Sequence, residues 1–278
     1  MRLLAVTRLT IEEAGRRRVL HATLLCGAAF LVLYAIGFHY IVRGIEHEQG
    51  PMAAVQHMFV RNLFTIVGLY AVNFLMVMSA VLLPVDTLSG EIASGVLQTV
   101  VARPVHRTEI VLGKWLAYVL VIWGYLLLLA GGVLTIAYFT AHALPPRAGL
   151  GLMYMAIEAV VLVSLSIAGG ARLGTVTNGV LAFGLYGLAF LGGWVEQIGS
   201  MANNEATRNI GTIASLLMPS ESMWQLASHQ MQPEFLAQMR ISPFSIASVP
   251  SNAMVLWAVL WSAAVLASGV IGFRKRAL

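Results

Sequence analysis

The stretch that decides the fold is Pro84–Lys114, which reads PVDTLSGEIASGVLQTVVARPVHRTEIVLGK. It is the most polar interior segment of a very apolar chain, and it joins two long hydrophobic runs. From Leu88 onward, apolar side chains recur at helical spacing, which predicts an amphipathic helix over residues 88–101. Arg103 and Pro104 end this helix, because the residue before a proline avoids the α region. The pattern fits both an element that docks on a partner at the membrane surface and a helix that lies on the lipid.

The composition predicts a membrane protein. Of the 278 residues, 59% are hydrophobic and only 10% are charged, whereas about a quarter of the residues in soluble domains are charged. The net charge of +5 does not point to nucleic acid, because the basic residues are distributed by membrane side. The single cysteine, Cys26, lies in an apolar run and allows no internal disulfide.

Apolar runs of about 20 residues, the length that crosses a bilayer, recur six times along the chain. We place them at residues 19–42, 63–83, 111–138, 149–170, 176–197 and 253–272. The expected fold is an all-α integral membrane protein with one transmembrane domain over residues 1–278. Between and before the spans we expect an amphipathic interfacial helix at 1–18, a cytoplasmic loop at 84–110, and an outer loop at 199–252 whose short helices rest on the outer leaflet.

The basic residues predict the orientation of the chain. With the amino terminus inside, twelve of the 17 Lys and Arg residues lie on the cytoplasmic side, as the positive-inside rule requires. This orientation puts both termini and the Pro84–Lys114 stretch in the cytoplasm. The overlong third run should project its first residues, with Glu109 and Lys114, into water.

The sequence lacks the common catalytic signatures. A phosphate-binding loop needs Gly-x-x-x-x-Gly-Lys-Ser/Thr, but Trp115 follows the pair Gly113-Lys114 and Thr108 stands where the first glycine belongs. The chain also contains no His-Glu-x-x-His, cysteine pair or Gly-x-Ser-x-Gly. We therefore expect that it is not itself an enzyme. Histidines and methionines of the outer side show no repeated spacing, so no metal site is predicted.

Glu158 is the most informative single residue, because it lies near the centre of the fourth span. An acidic group there is unfavourable by about 2.5–3.5 kcal/mol on insertion scales. Two interpretations remain open. Glu158 either lines a pathway or carries a proton, or it makes a structural hydrogen bond to another helix, for which Asn73 in the second span is a candidate partner.

Three motifs carry a family resemblance: SGE at residues 89–91, GVL at 95–97, and RPVHRTEIVLGK at 103–114. Together they resemble the permease family of type-2 ABC (ATP-binding cassette) exporters. Val96 stands where threonine is commoner in that family. The motifs cover about a tenth of the chain, and the expected six-span topology and amphipathic amino-terminal helix are similar too.

This resemblance implies that residues 88–101 form a coupling helix that docks on a separate ATPase subunit. The docking residues that it implies are Leu88, Glu91, Ile92, Leu97, Val100, Arg103 and Arg107. ATP and Mg²⁺ would bind to that partner, and this chain would bind no cofactor. The expected complex has two ATPase subunits and a second permease, identical or homologous, among the lipids of a bacterial or archaeal inner membrane.

Substrate would then leave the cytoplasm or inner leaflet along a pathway for which Asn73 and Glu158 are the candidate residues. Two other functions compete with this one. A proton-coupled secondary carrier could use Glu158 as its relay, although the chain shows no matching halves. A membrane anchor or lipid-handling protein could use the outer loop, although no nucleophile–base pair is recognisable there.

Overall fold

The computed structural model of the chain describes residues 2–46, 52–95, 106–142, 144–202, 204–233 and 249–275. All regular secondary structure in these ranges is helical. In chain order the helices are α1 (Arg2–Arg16), α2 (Arg18–Glu46), α3 (Ala53–Leu82), α4 (Ser89–Ala93), α5 (Arg107–Ala141), α6 (Ala148–Gly170), α7 (Thr175–Met201), α8 (Glu205–Leu217), α9 (Ser220–Met231) and α10 (Ala253–Lys275).

Six of the described helices are long and apolar enough to cross a membrane, namely α2, α3, α5, α6, α7 and α10. This confirms the predicted all-α fold with about six spans. Helices α3 and α6 are the most deeply buried, and α6 packs against α3, α5, α7, α9 and α10. Helix α2 lies at the periphery, and few of its side chains are fully buried, which suits a helix whose other neighbours are lipids or other subunits.

The second span begins earlier than the sequence predicts. Helix α3 starts at Ala53 rather than at residue 63. His57 and Arg61 lie in the added turns of this helix, and both are only partly exposed. The guanidinium of Arg61 donates a hydrogen bond to the carbonyl of Ala141 at the end of α5, at 3.4 Å. A helical turn can therefore contain this arginine, because its charge has a backbone acceptor.

Helix α1 packs against the beginning of α5. The Thr7 hydroxyl donates to the Gly113 carbonyl at 3.2 Å, and Thr10 and Ala14 are also buried. Leu4 and Ile11 of the same helix are exposed. One face of α1 therefore packs against α5. Other apolar side chains of the helix are exposed on the surface of the chain.

The helix predicted over 88–101 is wrong in extent within the described residues. Helix α4 ends at Ala93, and Gly95 has a φ of +73°. Glycine adopts this left-handed conformation without a steric penalty, and it commonly ends a helix. The predicted continuation through Leu97, Val100 and Arg103 lies outside the described residues.

The outer loop predicted at 199–252 contains a helical hairpin, α8–α9, within its described part. Asn204 begins α8 by accepting a hydrogen bond from the Thr207 N–H at 3.2 Å, and Pro219 separates the two helices. The expected helices broken by proline are present, but they do not all lie on a surface. Every residue from Ser220 to Ala227 is buried, because α9 packs against α6 and α7.

Helix α8 runs antiparallel to α7 and carries the hairpin inward. Thr207 and Arg208 lie beside Gly199, and Gly211 lies beside Gly192. A β carbon on Gly211 would come within 2.6 Å of the Gly192 carbonyl oxygen, so only glycine permits this approach. The 13 residues of α8 span about 20 Å at 1.5 Å per residue. The hairpin tip therefore reaches well into the depth of the six spans.

The bundle has two ends. One end, called here the α4 end, contains α4, α1, the start of α5 and the end of α10. There Arg107 of α5 donates a hydrogen bond to the Arg274 carbonyl at 3.1 Å. The other end, called the hairpin end, carries the turn between α5 and α6 and the open side of α8–α9. Arg147 in that turn donates to Gln230 of α9 at 3.2 Å.

Candidate functional site

The first candidate site is the segment Pro84–Gly95, which contains α4. Leu88 at its centre is completely buried and packs in the main hydrophobic core. Ile92, one turn later, is only partly buried against that core, while Ala93 and Ser94 are exposed. The segment is therefore anchored at its base through Leu88 and presents its tip, Ala93–Gly95, at the surface.

An ion pair ties α4 to α5. The ammonium group of Lys114 contacts the carboxylate of Glu91, and the two side chains are only 6% and 17% exposed. The expectation that Lys114 projects into water is therefore wrong, because the partner carboxylate holds it in the interior. Glu91, an expected docking residue, already has a partner within the chain. In the same region the Thr87 hydroxyl donates to the Tyr118 hydroxyl at 2.5 Å.

A second set of hydrogen bonds ties the segment to α7. The Thr175 hydroxyl donates to Asp86 at 2.7 Å and lies 2.8 Å from the Ser89 hydroxyl. The Asn178 amide donates to the Val85 carbonyl at 3.2 Å and to the Ser166 carbonyl of α6 at 2.8 Å. These contacts connect the segment to α6 and α7, in addition to its ion pair with α5.

The remaining expected docking residues fall in two groups. Arg107 is half-buried and donates to the backbone carbonyls of Phe273 and Arg274, at 3.5 Å and 3.1 Å. It thereby joins the start of α5 to the end of α10, beside a cavity of about 420 Å³ that is lined by His106, Thr108 and Glu109. The other three, Leu97, Val100 and Arg103, lie outside the described residues.

The second candidate site lies in the interior and contains Glu158. This residue is fully buried on α6, and the Asn73 amide of α3 donates to its Oε1 atom at 3.4 Å. The structural partner considered from the sequence is therefore in contact with it. Neither group is fully satisfied, because Glu158 Oε2 and Asn73 Oδ1 have no hydrogen-bond partner.

Sequence reasoning missed a second acidic group in this region. Glu221, near the start of α9, is 6% exposed and close enough to Glu158 for their charges to interact. Its position depends on the hairpin, which the sequence places on a surface. One signal was available, because Glu221 is the only charged residue between Arg208 and Glu234. An isolated carboxylate in a long uncharged stretch indicates a buried or functional position.

A cavity of about 300 Å³ lies beside these acids, between α3, α7 and α9. Glu221 and Asn73 reach it directly, and the rest of its lining is aromatic: Tyr70, Phe74, Tyr186, Phe190 and Trp224. The Tyr70 and Trp224 rings meet edge to face at 5.2 Å. Among the described residues, no group of three or more His, Cys, Asp or Glu side chains could hold a metal ion. The cavity therefore combines one carboxyl group, that of Glu221, with aromatic walls.

The sequence matches a known protein family. Residues 9–278 match the family described as ABC-2 family transporter protein. The match covers nearly the whole chain, including α1 from Leu9 onward, the α4 segment, all six spans and the hairpin. A search of curated proteins found no match to this sequence.

Proposed function

This chain belongs to the ABC-2 family of transporter proteins and is a multi-pass membrane subunit of an ABC transporter, and we propose that it serves export. In this proposal a separate ATPase subunit binds ATP and Mg²⁺ and hydrolyses the ATP. Its movement pushes the α4 segment, and the spans rearrange to release substrate from the cytoplasm or inner leaflet. In this proposal the permease changes conformation to move the substrate, and the ATPase subunit supplies the energy.

The observation that carries this proposal is the way in which the α4 segment is held. Its tip, Ala93–Gly95, is at the surface, while its base is tied to α5 by Glu91–Lys114 and to α7 by Asp86–Thr175. A helix that merely lay on lipid would need no buried ion pair such as Glu91–Lys114, since taking the two charges out of water costs desolvation. A rigid connection from an exposed tip to several spans is what transmission of a push requires.

The charge distribution supports the orientation. Arg8, Arg107, Arg172 and Arg274 lie in helices or turns at the α4 end, and the positive-inside rule makes that end cytoplasmic. Both termini are then cytoplasmic, and the hairpin faces outward. We place the protein in the inner membrane of a bacterium or archaeon, in a complex of two ATPase subunits with two permeases, identical or homologous.

Substitution at the tip of the α4 segment tests the docking role. Ala93 is exposed, so Ala93→Arg should leave the fold intact and place a large cation at the proposed interface. We expect loss of co-purification with the cognate ATPase and loss of stimulated ATP hydrolysis. Ala202→Arg is the matched control, because Ala202 is an exposed alanine at the other end of the bundle. Undiminished ATPase association in Ala93→Arg contradicts the docking role.

One observation favours a second candidate, a proton-coupled carrier. The carboxyl of Glu158 is buried with one unpaired oxygen, as a proton relay would need. Vesicles that hold only this chain discriminate the two functions. The carrier predicts transport that is driven by a pH gradient without ATP and is lost in Glu158→Gln, whereas the exporter predicts transport only with the ATPase and ATP.

A further inference from the structure

We propose that the cavity between α3, α7 and α9 binds an organic cation, an ammonium group on an aromatic or apolar body, as the cargo of the transporter. The cargo role rests on the proposed function, but the binding does not require ATP. The cavity lies beside Asn73 and Glu158, which are the candidate pathway residues. The side chains that line the cavity indicate a class of ligand, whereas the apolar spans alone indicate none.

The carboxyl groups supply the first reason. Glu221 lines the cavity, and Glu158 lies behind Asn73 within reach of the charge of Glu221. No basic side chain forms an ion pair with either carboxyl in the part of the chain that the structure describes. Buried acidic groups without a counter-charge are costly. A ligand cation in the cavity would supply a counter-charge to Glu221, which lines it, and would be separated from Glu158 by Asn73.

Unpaired side-chain acceptors on α3, α6 and α9 supply the second reason. Asn73 Oδ1, Glu158 Oε2 and Gln225 Oε1 have no hydrogen-bond partner, although their side chains are at least nine-tenths buried. Native interiors leave few such groups unpaired. Asn73 also lines the cavity, so one of these unpaired acceptors belongs to a residue in contact with the space where a ligand would sit. The complementary ligand is one that carries N–H donors or a positive charge.

The aromatic walls supply the third reason and separate organic from inorganic cations. Five of the seven lining residues are Tyr, Phe or Trp, contributed by three helices. A cation over the face of an aromatic ring is attracted to the negative charge of that face, and aromatic cages are a common means of binding quaternary ammonium groups. A small metal ion instead requires several oxygen, nitrogen or sulfur ligands. The cavity offers too few for that, and its size suits an organic ligand.

A pair of probes that differ only in charge tests the inference. Benzyltrimethylammonium is an aromatic cation, and neopentylbenzene is its uncharged isostere. Each is titrated against the full chain in phosphatidylcholine nanodiscs, with binding followed by saturation-transfer NMR. We expect saturable binding of the cation that is about tenfold or more tighter than binding of the isostere. Equal affinities would mean a merely apolar cavity and would overturn the inference, as would the absence of saturable cation binding.

Variants identify the site. Glu221→Gln and Glu158→Gln keep side-chain volume and should each weaken cation binding by about tenfold, with little change for the isostere. Glu205→Gln, an exposed acid on the same hairpin, is the matched control and should change nothing. Trp224→Leu should weaken cation binding by about fivefold, because the aromatic ring face is lost. Cation affinity that is unchanged in both glutamine variants of the buried acids overturns the assignment.

The two proposals can fail separately. Cation binding that depends on Glu221, together with the absence of ATP-driven transport by the complex, leaves the binding site standing and refutes the proposed function. ATP-driven export of some other cargo without cation binding refutes only the present inference. Accumulation of benzyltrimethylammonium in inverted vesicles upon addition of ATP, abolished by Glu221→Gln, supports both.

Discussion

The Glu91–Lys114 ion pair provides a quantitative test of how α4 is held. Lys114 is 6% exposed and Glu91 is 17% exposed at the side chain, so removal of either charge leaves the other unpaired in the interior. Breaking a buried pair in this way costs about 3–5 kcal/mol in soluble proteins. We expect Glu91→Gln to lower the unfolding free energy by an amount in this range, because the lysine that is left unpaired is the more buried partner. Lys114→Met should cost less, since the carboxylate of Glu91 has more access to water.

The double variant Glu91→Gln with Lys114→Met shows whether the loss of stability in the single variants comes from an unpaired buried charge or from lost packing. Replacing both partners of a buried pair by neutral groups is often nearly neutral, so the double variant should recover most of the loss in stability. The assay is thermal unfolding of the purified chain in detergent, converted to differences in unfolding free energy across the four-member cycle. The exposed pair Arg8–Glu12, whose side chains are 84% and 53% exposed, is the control, and its removal should cost about 0–1 kcal/mol.

One result would refute the reasoning. If the single variants lose no more than the Arg8–Glu12 control, the Glu91–Lys114 contact does not hold α4 against α5. If the losses of the two single variants simply add in the double variant, the two residues act independently and no pair exists. In the complex with the ATPase, Glu91→Gln should also lower the ATP-driven transport per ATP hydrolysed, because the segment is less rigidly connected to α5.

Other parts of the structure make further predictions. Leu88→Ala removes a fully buried side chain and should lower the unfolding free energy by about 2–5 kcal/mol, as measured by thermal unfolding in detergent. Gly211→Val should lower the melting temperature strongly, since a β carbon there meets the Gly192 carbonyl; Gly37→Ala, at a position with open space, should change it little. Asn178→Ala should reduce transport per ATP without loss of ATPase association, because the amide joins the α4 segment to α6 and is buried away from the surface.

The spans could be predicted from the sequence because hydrophobic length is a local property. A run of about 20 apolar residues crosses a bilayer whatever its neighbours are, and the six runs all appear as helices. The boundary errors arise where a tertiary contact satisfies a polar group. Arg61 has a carbonyl acceptor on α5, and Lys114 has a carboxylate on α4. Neither partner is adjacent in the sequence, so both residues look like water-exposed ends.

The hairpin α8–α9 illustrates what the sequence did not reveal. Its second helix, SESMWQLASHQM, mixes polar and apolar residues, and no long apolar run marks it as part of the membrane interior. Burial of every residue from Ser220 to Ala227 results from packing against α6 and α7 on several sides at once. Glu221 was missed for this reason, whereas the Glu158–Asn73 contact could be suggested because both residues lie at similar depth in predicted spans.

We propose that the tip of the α4 segment faces the compartment of the ATPase. The direct measurement uses Ser94→Cys in a Cys26→Ser background, labelled with a membrane-impermeant maleimide. Cys26 is the only native cysteine, and Ser94 is exposed, so the label reports one position. We expect labelling in inverted vesicles and none in intact cells, with Ala202→Cys showing the opposite pattern. Labelling of residue 94 in intact cells would place α4 outside, where no ATPase could reach it.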